Sequence, residues 1–385
     1  MRVVVIGAGF HGRGVAYALA DAPDVDALIV ADRDADSARR VAQKIGAEWR
    51  RLEVQDTAAL TALLDGATLV FNAIGPYHYR RNALCVVEAA LDRRVDYVDM
   101  SDDCEVAEAL LLDPGWNERA ERAGVAVVTG TGIAPGLSGM LAKLGYQELE
   151  RCDAIDVRFS WNYSLAYPAA LHHFFRINSG MAPQYIDGAY VRPGAFAGRE
   201  RVTFLPPVGE REVYYTGIHD PVSISCSLPG PRRVTARGAY HQPEANALLE
   251  AMVRFGFTRY EPVLAGGLAP FELLMEYLGS DAGRAHFDIP PEDAPMAVRV
   301  EVSGADARGP RTQLFEAHDA SRRGTTSSAA RIALMLARGE LDFRGVRAPE
   351  GCVDPGVLLR GLAGEPDLSF YTWQAGEAPA PLTFG

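Results

Sequence analysis

The residues Gly7-Ala8-Gly9-Phe10-His11-Gly12 carry glycines at the spacing G-x-G-x-x-G. The first glycine of such a run allows a tight turn, the second lets the backbone approach a pyrophosphate, and the third lets a helix pack closely on a strand. Asp32 follows Gly12 at the ~20-residue distance where a carboxylate accepts hydrogen bonds from adenosine ribose hydroxyls. Together they predict a dinucleotide site, and with it hydride chemistry carried by a nicotinamide. Asp32 favours NAD, because a 2′-phosphate would face a carboxylate. Arg33 beside it keeps NADP open, since a guanidinium binds such a phosphate. A glycine-rich structural turn with Asp32 as a surface cap would leave the spacing unexplained.

These residues need a strand before the glycines and a helix after them, and the sequence supplies both. The β-branched run Val3 to Ile6 leads into the fingerprint, and an alanine-rich helix is predicted from about Arg13 to Ala20. A helix N-terminus offers free N–H groups and partial positive charge to phosphates. Further strands are predicted at Ala27 to Ala31, Leu52 to Val54, Thr68 to Ala73, Val95 to Val98 and Val125 to Thr129, with helices between them. Alternating β and α elements give a parallel sheet covered on both faces, whose ligands sit at the carboxyl ends of the strands. Asn72, Ala73, Gly75 and Pro76, at one such strand end, are expected to line the cleft with Phe10 and His11 of the fingerprint.

After Thr129 the texture changes. A glycine- and proline-containing loop enters a helix at Leu137, followed by aromatic-rich strand-like stretches at Ile155 to Trp161, Val202 to Leu205, Glu212 to Tyr215 and Arg232 to Ala236. Later strands are predicted at Met296 to Val302 and Thr312 to Ala317, and helices at Ala169 to Phe175, Pro243 to Phe255 and Thr326 to Ala337. The predicted class is therefore α/β: a doubly wound parallel Rossmann sheet plus a second α+β domain with a mixed or antiparallel sheet.

Composition narrows the partners. The 385 residues are 48% hydrophobic and 23% charged, with net charge −12. That balance suits an ordinary globular protein and argues against nucleic acid or an anionic membrane surface as partner. No apolar run approaches the ~20 residues of a membrane span. Met1-Arg2 is followed by only four apolar residues before the glycines, which predicts no leader. Five scattered cysteines, without a C-x-x-C pair, suit a reducing cytoplasm better than a disulfide framework or a zinc site. No spacing of histidines and acids predicts a metal centre.

With these residues in view the chain resembles the saccharopine dehydrogenase-like oxidoreductases, a group that includes saccharopine reductase, lysine 6-dehydrogenase and carboxynorspermidine dehydrogenase. The similarity rests on the fingerprint, Gly75-Pro76-Tyr77, Tyr97-Val98-Asp99, Gly132-Ile133-Ala134-Pro135-Gly136-Leu137-Ser138 and Gly345-Val346 with Pro349-Glu350. Arg237-Gly238-Ala239-Tyr240-His241 resembles the group's arginine-containing strand end, without its proline and in a different order. The resemblance runs from residue 1 to about 363. It implies a nucleotide domain over 1–130, a substrate and dimerisation domain over 131–343, and a return of 344–385 to the nucleotide domain. It also implies NAD or NADP, a homodimer, and redox chemistry at a C–N bond of a small amino-acid- or polyamine-derived substrate. Two other readings stay open: a transferase or lyase of the homospermidine synthase type that uses NAD without net redox, and a non-catalytic dinucleotide-binding module.

Chemistry at a C–N bond needs one managed proton, because a C=N carbon accepts hydride best when its nitrogen is protonated. Tyr77, His78 and Asp102 stand at strand ends and are the candidates. Of the adjacent pair Asp102 and Asp103, one is expected to face the cleft and the other to face water or cap the following helix. Arg237, with Tyr240 and His241, and Arg176 after Phe174-Phe175 are the candidate anchors for a substrate carboxylate, since the guanidinium fork matches a carboxylate in two parallel hydrogen bonds.

Overall fold

The run Val3-Val4-Val5-Ile6 is buried on every side, so neither face of its strand offers a polar alternative, and it forms the centre of a parallel sheet. The computed structural model describes residues 1–75, 80–161, 168–287, 296–321 and 323–383. Tyr77, His78 and Pro76 lie outside the described residues. The first sheet contains β1 (Arg2–Ile6), β2 (Ala27–Asp32), β3 (Glu48–Arg51), β4 (Leu69–Asn72), β5 (Asp96–Asp99) and β6 (Ala126–Val128). A seventh strand reaches it from far down the chain. Their order across the sheet reverses direction between β1 and β4, which leaves a crevice beside the fingerprint turn.

The second sheet is mixed and ten-stranded. It comprises β7 (Arg151–Trp161), β8 (Gln184–Ile186), β9 (Ala189–Val191), β10 (Glu200–Thr203), β11 (Glu210–Tyr215), β12 (Arg233–Tyr240), β13 (Met296–Asp306) and β14 (Gly309–Asp319), joined by two strands from the last part of the chain. Among the described residues only β7 and β12 run parallel in it; its other pairs are antiparallel. One face of β7 presents Phe159 and Trp161 to the helix Pro168–Ser179, where Trp161 meets Phe174 at 6.0 Å between ring centres. Gly238 exists to admit Phe159, since a Cβ there would lie 2.1 Å from its ring.

The chain returns to the first sheet earlier than expected, and only for a while. Helix Gly324–Ala337 packs on the fingerprint helix, with Thr326 so close to Gly14 that a Cβ at Gly14 would lie 2.8 Å from it. β15 (Gly345–Arg347) then pairs with β6 and closes the edge of the parallel sheet. The expected return of the whole stretch 344–385 is corrected, because β16 (Leu368–Gln374) and β17 (Ala380–Pro381) go back to the second sheet beside β14. The alternating apolar residues of β16, with Leu368 and Phe370 buried, fit that half-covered edge and not the parallel sheet. A second correction concerns β3. Its residues Glu48-Trp49-Arg50-Arg51 are all exposed, so this edge strand has no apolar signal, and the buried Leu52 and Val54 fall in the turn after it. Residues of both sheets, such as Val98 and Val300, belong to one continuous buried core.

Candidate active site at the seam between the two sheets

The fingerprint has the backbone its glycines were read to require. Gly7 has φ +104°, and a Cβ there would lie 2.7 Å from the Ala73 carbonyl oxygen at the end of β4. A Cβ at Gly12 would lie 1.9 Å from the Gly7 carbonyl oxygen, so the turn and helix α1 (Phe10–Ala20) close on each other without side chains between them. Gly9 is exposed with open space where its Cβ would be. No side chain caps α1, so its first N–H groups remain available. Asp32 ends β2 and turns inward: the Ala8 N–H donates to Oδ2 at 2.6 Å and the Asp34 N–H to Oδ1 at 2.8 Å. The Asn72 amide holds the neighbouring turn, donating to the Asn82 carbonyl and the Tyr97 hydroxyl at 3.1 and 3.0 Å and accepting from the Ile74 N–H at 3.1 Å. A narrow glycine turn, an open second glycine, an uncapped helix end and an inward acid together fit a dinucleotide.

The loop after β5 carries the candidate acids. Asp99 is fully buried and structural, accepting from the Tyr97 hydroxyl at 2.9 Å and from Ser101 N–H, Thr129 Oγ1 and Gly130 N–H at 2.9–3.0 Å. Asp103 is the helix cap, taking the Glu105 N–H at 2.9 Å, yet it is buried and not turned to water, and burial pushes its carboxyl up to about 6. Asp102 faces the seam. Its Oδ2 lies 2.7 Å from Nε2 of His173, carried by the helix Pro168–Ser179 of the second domain. Burial works against a charge on His173, but Asp102, helped by Asp103, outweighs it and raises the imidazole above its ordinary range.

Two more histidines feel the Asp102 charge. His11, within the fingerprint itself, is held down to about 4 by burial, against the pull of Asp102. His219 is completely buried, its ring lies against Gly130, and neither ring nitrogen has a hydrogen-bond partner among the described residues. Burial holds it down to about 3. The segment before the helix Asp220–Ser227 comes alongside the β5 loop through the bridge between Asp103 and Ile218 and the His219 N–H donating to the Asp102 carbonyl at 3.1 Å. Among the described residues no three His, Cys, Asp or Glu side chains gather closely enough to hold a metal ion. Only long-range pairing brings His173 and His219 here; the adjacent His172-His173 and the Gly217-Ile218-His219 run carry no local motif that finds them.

The arginines stand otherwise than expected. Arg237 is committed within the sheet: its guanidinium donates to Gly198 O, Thr235 Oγ1 and Tyr215 OH at 2.8, 2.7 and 2.9 Å. It also lies 3.4 Å from Glu200 and 3.7 Å from Asp156. Three of its five N–H groups are thus engaged by groups the fold supplies. Tyr240 is buried against Phe174 at 5.4 Å, and the ring nitrogens of His241 sit 3.1 and 3.3 Å from Arg211. Arg176 pairs with Glu105 across the seam. Asp102, Glu105 and Glu108, three residues apart, thus meet His173, Arg176 and Arg192 in turn, the last at 2.6 Å.

Fold and fingerprint define a two-domain nucleotide-dependent protein of the dehydrogenase kind, with its polar cluster where the domains meet. Residues 3–129 match the family described as saccharopine dehydrogenase NADP binding domain. Its cofactor is therefore NAD(P). Carboxyaminopropylagmatine dehydrogenase from Synechocystis is 24% identical over 305 residues, which is 74% of each protein. Among solved structures, the saccharopine dehydrogenase (L-Glu forming) of Saccharomyces cerevisiae superposes with a TM-score of 0.69 at 15% identity, covering 97% of this chain and 99% of that one, a likeness of fold.

Proposed function

We propose that this chain is an NAD(P)-dependent oxidoreductase acting on a C–N bond of an amino-acid- or polyamine-derived substrate. The observation that carries the reading is the Asp102–His173 pair, which brings a proton-managing acid from each domain together beside the fingerprint residue His11. The family match and the activity named for the Synechocystis relative support it. When bound, the dinucleotide supplies the hydride acceptor or donor. The residues of the chain then handle the proton. In the oxidative direction the C–N carbon gives up a hydride and the nitrogen gives up a proton, leaving a C=N bond. In the reductive direction His173, kept protonated by Asp102, gives that proton to the nitrogen.

The charges at the seam favour a cationic nitrogen in the substrate. Among the described residues Asp102 and Asp103 have no lysine or arginine on them, whereas Arg176, Arg192 and Arg237 already carry acidic partners. Asp102 is therefore read as the group that orients the reacting nitrogen, with Tyr77 and His78 at the neighbouring strand end as further candidates for contact. The same reading takes the protein as a cytoplasmic homodimer. Its five cysteines are free thiols, which suits a reducing compartment, and Phe255, Phe257, Val263 and Tyr277 expose apolar surface of the kind interfaces use. No helix among the described residues is long and apolar enough to cross a membrane.

The test is a spectrophotometric screen of amines, and of imines formed from amine–carbonyl pairs, with both nicotinamide cofactors. His173→Gln should lower turnover by a factor on the order of 10² to 10⁴ while reduced cofactor still binds. Full turnover in that variant would remove His173 from the reaction.

A further inference from the structure

His11 is the one titratable side chain within the fingerprint Gly7 to Gly12, and it stands where a bound anion acts on it. It is the second residue of α1. The Cα–Cβ bonds of a helix tilt toward its N-terminus, so the ring lies beside the first turn, whose N–H groups are the ones offered to phosphates. That turn contains no acid and no side-chain cap. The ring meets Phe10 edge-on at 5.0 Å, and its Nδ1 is buried without a hydrogen-bond partner among the described residues. An imidazole held in this way is neutral by environment and gains a proton once negative charge arrives.

The charges around the ring come from separate elements. Asp102, on the loop after β5, draws a proton toward it, and His173, on the helix Pro168–Ser179, repels one. On α1 itself Arg13 lies over the Phe10 ring at 5.3 Å. The helix Gly324–Ala337, packed on α1, brings the uncharged Thr326 to Gly14. Asp32 spends Oδ2 on the Ala8 N–H at the other side of the turn. Burial outweighs the single carboxylate that favours a proton, so His11 stays neutral.

We propose that His11 takes up a proton when the dinucleotide binds, so that cofactor binding and protonation of the site are one linked step. The proposal rests on the nucleotide-site reading and is independent of the substrate. A unit charge ~6 Å away, at an effective dielectric of ~20, changes a protonation equilibrium by about 100-fold. Pyrophosphate charge at the start of α1 therefore works strongly against the burial that keeps the ring neutral. The link serves the reaction. In the reductive direction hydride goes to the carbon and His173 gives its proton to the nitrogen. The proton held on His11 then restores His173, and both histidines act on the same carboxylate, Asp102.

The experiment is a calorimetric titration of the full chain with NADH, in buffers of different ionisation enthalpy, at pH ~6 and pH ~9. NADH is the probe because it lacks the phosphate monoester of NADPH, which itself titrates near pH ~6. The wild-type chain should take up more than ~0.5 proton per nucleotide at pH ~6 and less than ~0.1 at pH ~9. Because the complex holds the extra proton, binding should be about 10-fold tighter at the lower pH. His173, already charged there through Asp102, has little left to take up, so His173→Gln should keep the uptake. His11→Gln should abolish it, bind about 10-fold more weakly than the wild type at pH ~6, and match it at pH ~9. His11→Asn repeats the comparison should glutamine disturb the turn, since the proton count per bound nucleotide does not depend on affinity. Wild-type binding without uptake at pH ~6, or uptake undiminished in His11→Gln, would overturn the link and leave the nucleotide site standing. Failure of both NADH and NADPH to bind would overturn the link together with the nucleotide site.

Discussion

Replacing Asp220 by Asn should make the protein more stable at pH 8 and, by a smaller margin, at pH 5. Asp220 is completely buried at the start of its helix, with the Ser138 hydroxyl donating to Oδ1 and Oδ2 without a partner among the described residues. Glu350, 2% exposed, adds a second carboxyl against Gly139, where a Cβ would lie 2.5 Å from Oε2. Burial, reinforced by Glu350, pushes the Asp220 carboxyl up from 3.8 to about 7. A folded-state value above the unfolded one means that the stabilising proton is held fully below pH ~4 and lost as pH rises toward 7. A rise of about three pH units corresponds to roughly 4 kcal/mol at 1.36 kcal/mol per unit. Asparagine keeps the shape and an oxygen for Ser138 but has no proton to lose. Urea unfolding at pH 5, 6, 7 and 8 should therefore show a falling midpoint for the wild-type chain and a flatter series for Asp220→Asn, with a gap at pH 8 of up to about 4 kcal/mol. If the variant followed the wild-type slope, or were the weaker protein at pH 8, Asp220 would not be the group holding the proton.

Three further outcomes follow from the geometry. Imine reduction should persist above pH 6.5 and then decline, because the raised His173 stays protonated beyond the ordinary histidine range, and Asp102→Asn should move that decline to lower pH in a pH–rate profile. Arg237→Ala should lower stability in denaturant by about 1–3 kcal/mol, since it leaves the Gly198 carbonyl, Thr235 and Tyr215 without the donors of a side chain only 13% exposed, while Asp156 and Glu200 keep Arg233 and Arg158, and it should leave the KM of a carboxylate substrate unchanged. Gly12→Ala should abolish nucleotide binding measured by fluorescence titration, because its Cβ would stand 1.9 Å from the Gly7 carbonyl oxygen, and an unaltered affinity would contradict the turn geometry.

What the sequence disclosed and what it hid divide along physical lines. The fingerprint was legible because its glycines answer to contacts within a few residues, and the strands β1 and β5 because apolar residues bury both of their faces. The Asp102–Asp103 pair was readable down to the expectation that one of them caps a helix. The exposed β3 was not legible, since an edge strand of charged residues has no hydrophobic period. The surroundings of Arg237 were hidden for a similar reason: Gly198 and Tyr215, which accept two of its N–H groups, lie on other segments. His173, His219 and Glu350 reach the seam through pairings between distant segments, so no local spacing announces them.

The pairing of β15 with β6 bears on how the protein is made. During synthesis the strand Ala126–Val128, buried in the finished fold, emerges about 200 residues ahead of the partner that covers its edge. At ~5–20 residues per second the wait lasts roughly 10–40 s. Through that interval the nascent parallel sheet carries an unpaired apolar edge, a template for joining another chain. Ribosome-bound chains stopped just before Gly345 should therefore need a chaperone to stay soluble, and chains stopped far enough beyond Arg347 for β15 to clear the ribosome should not.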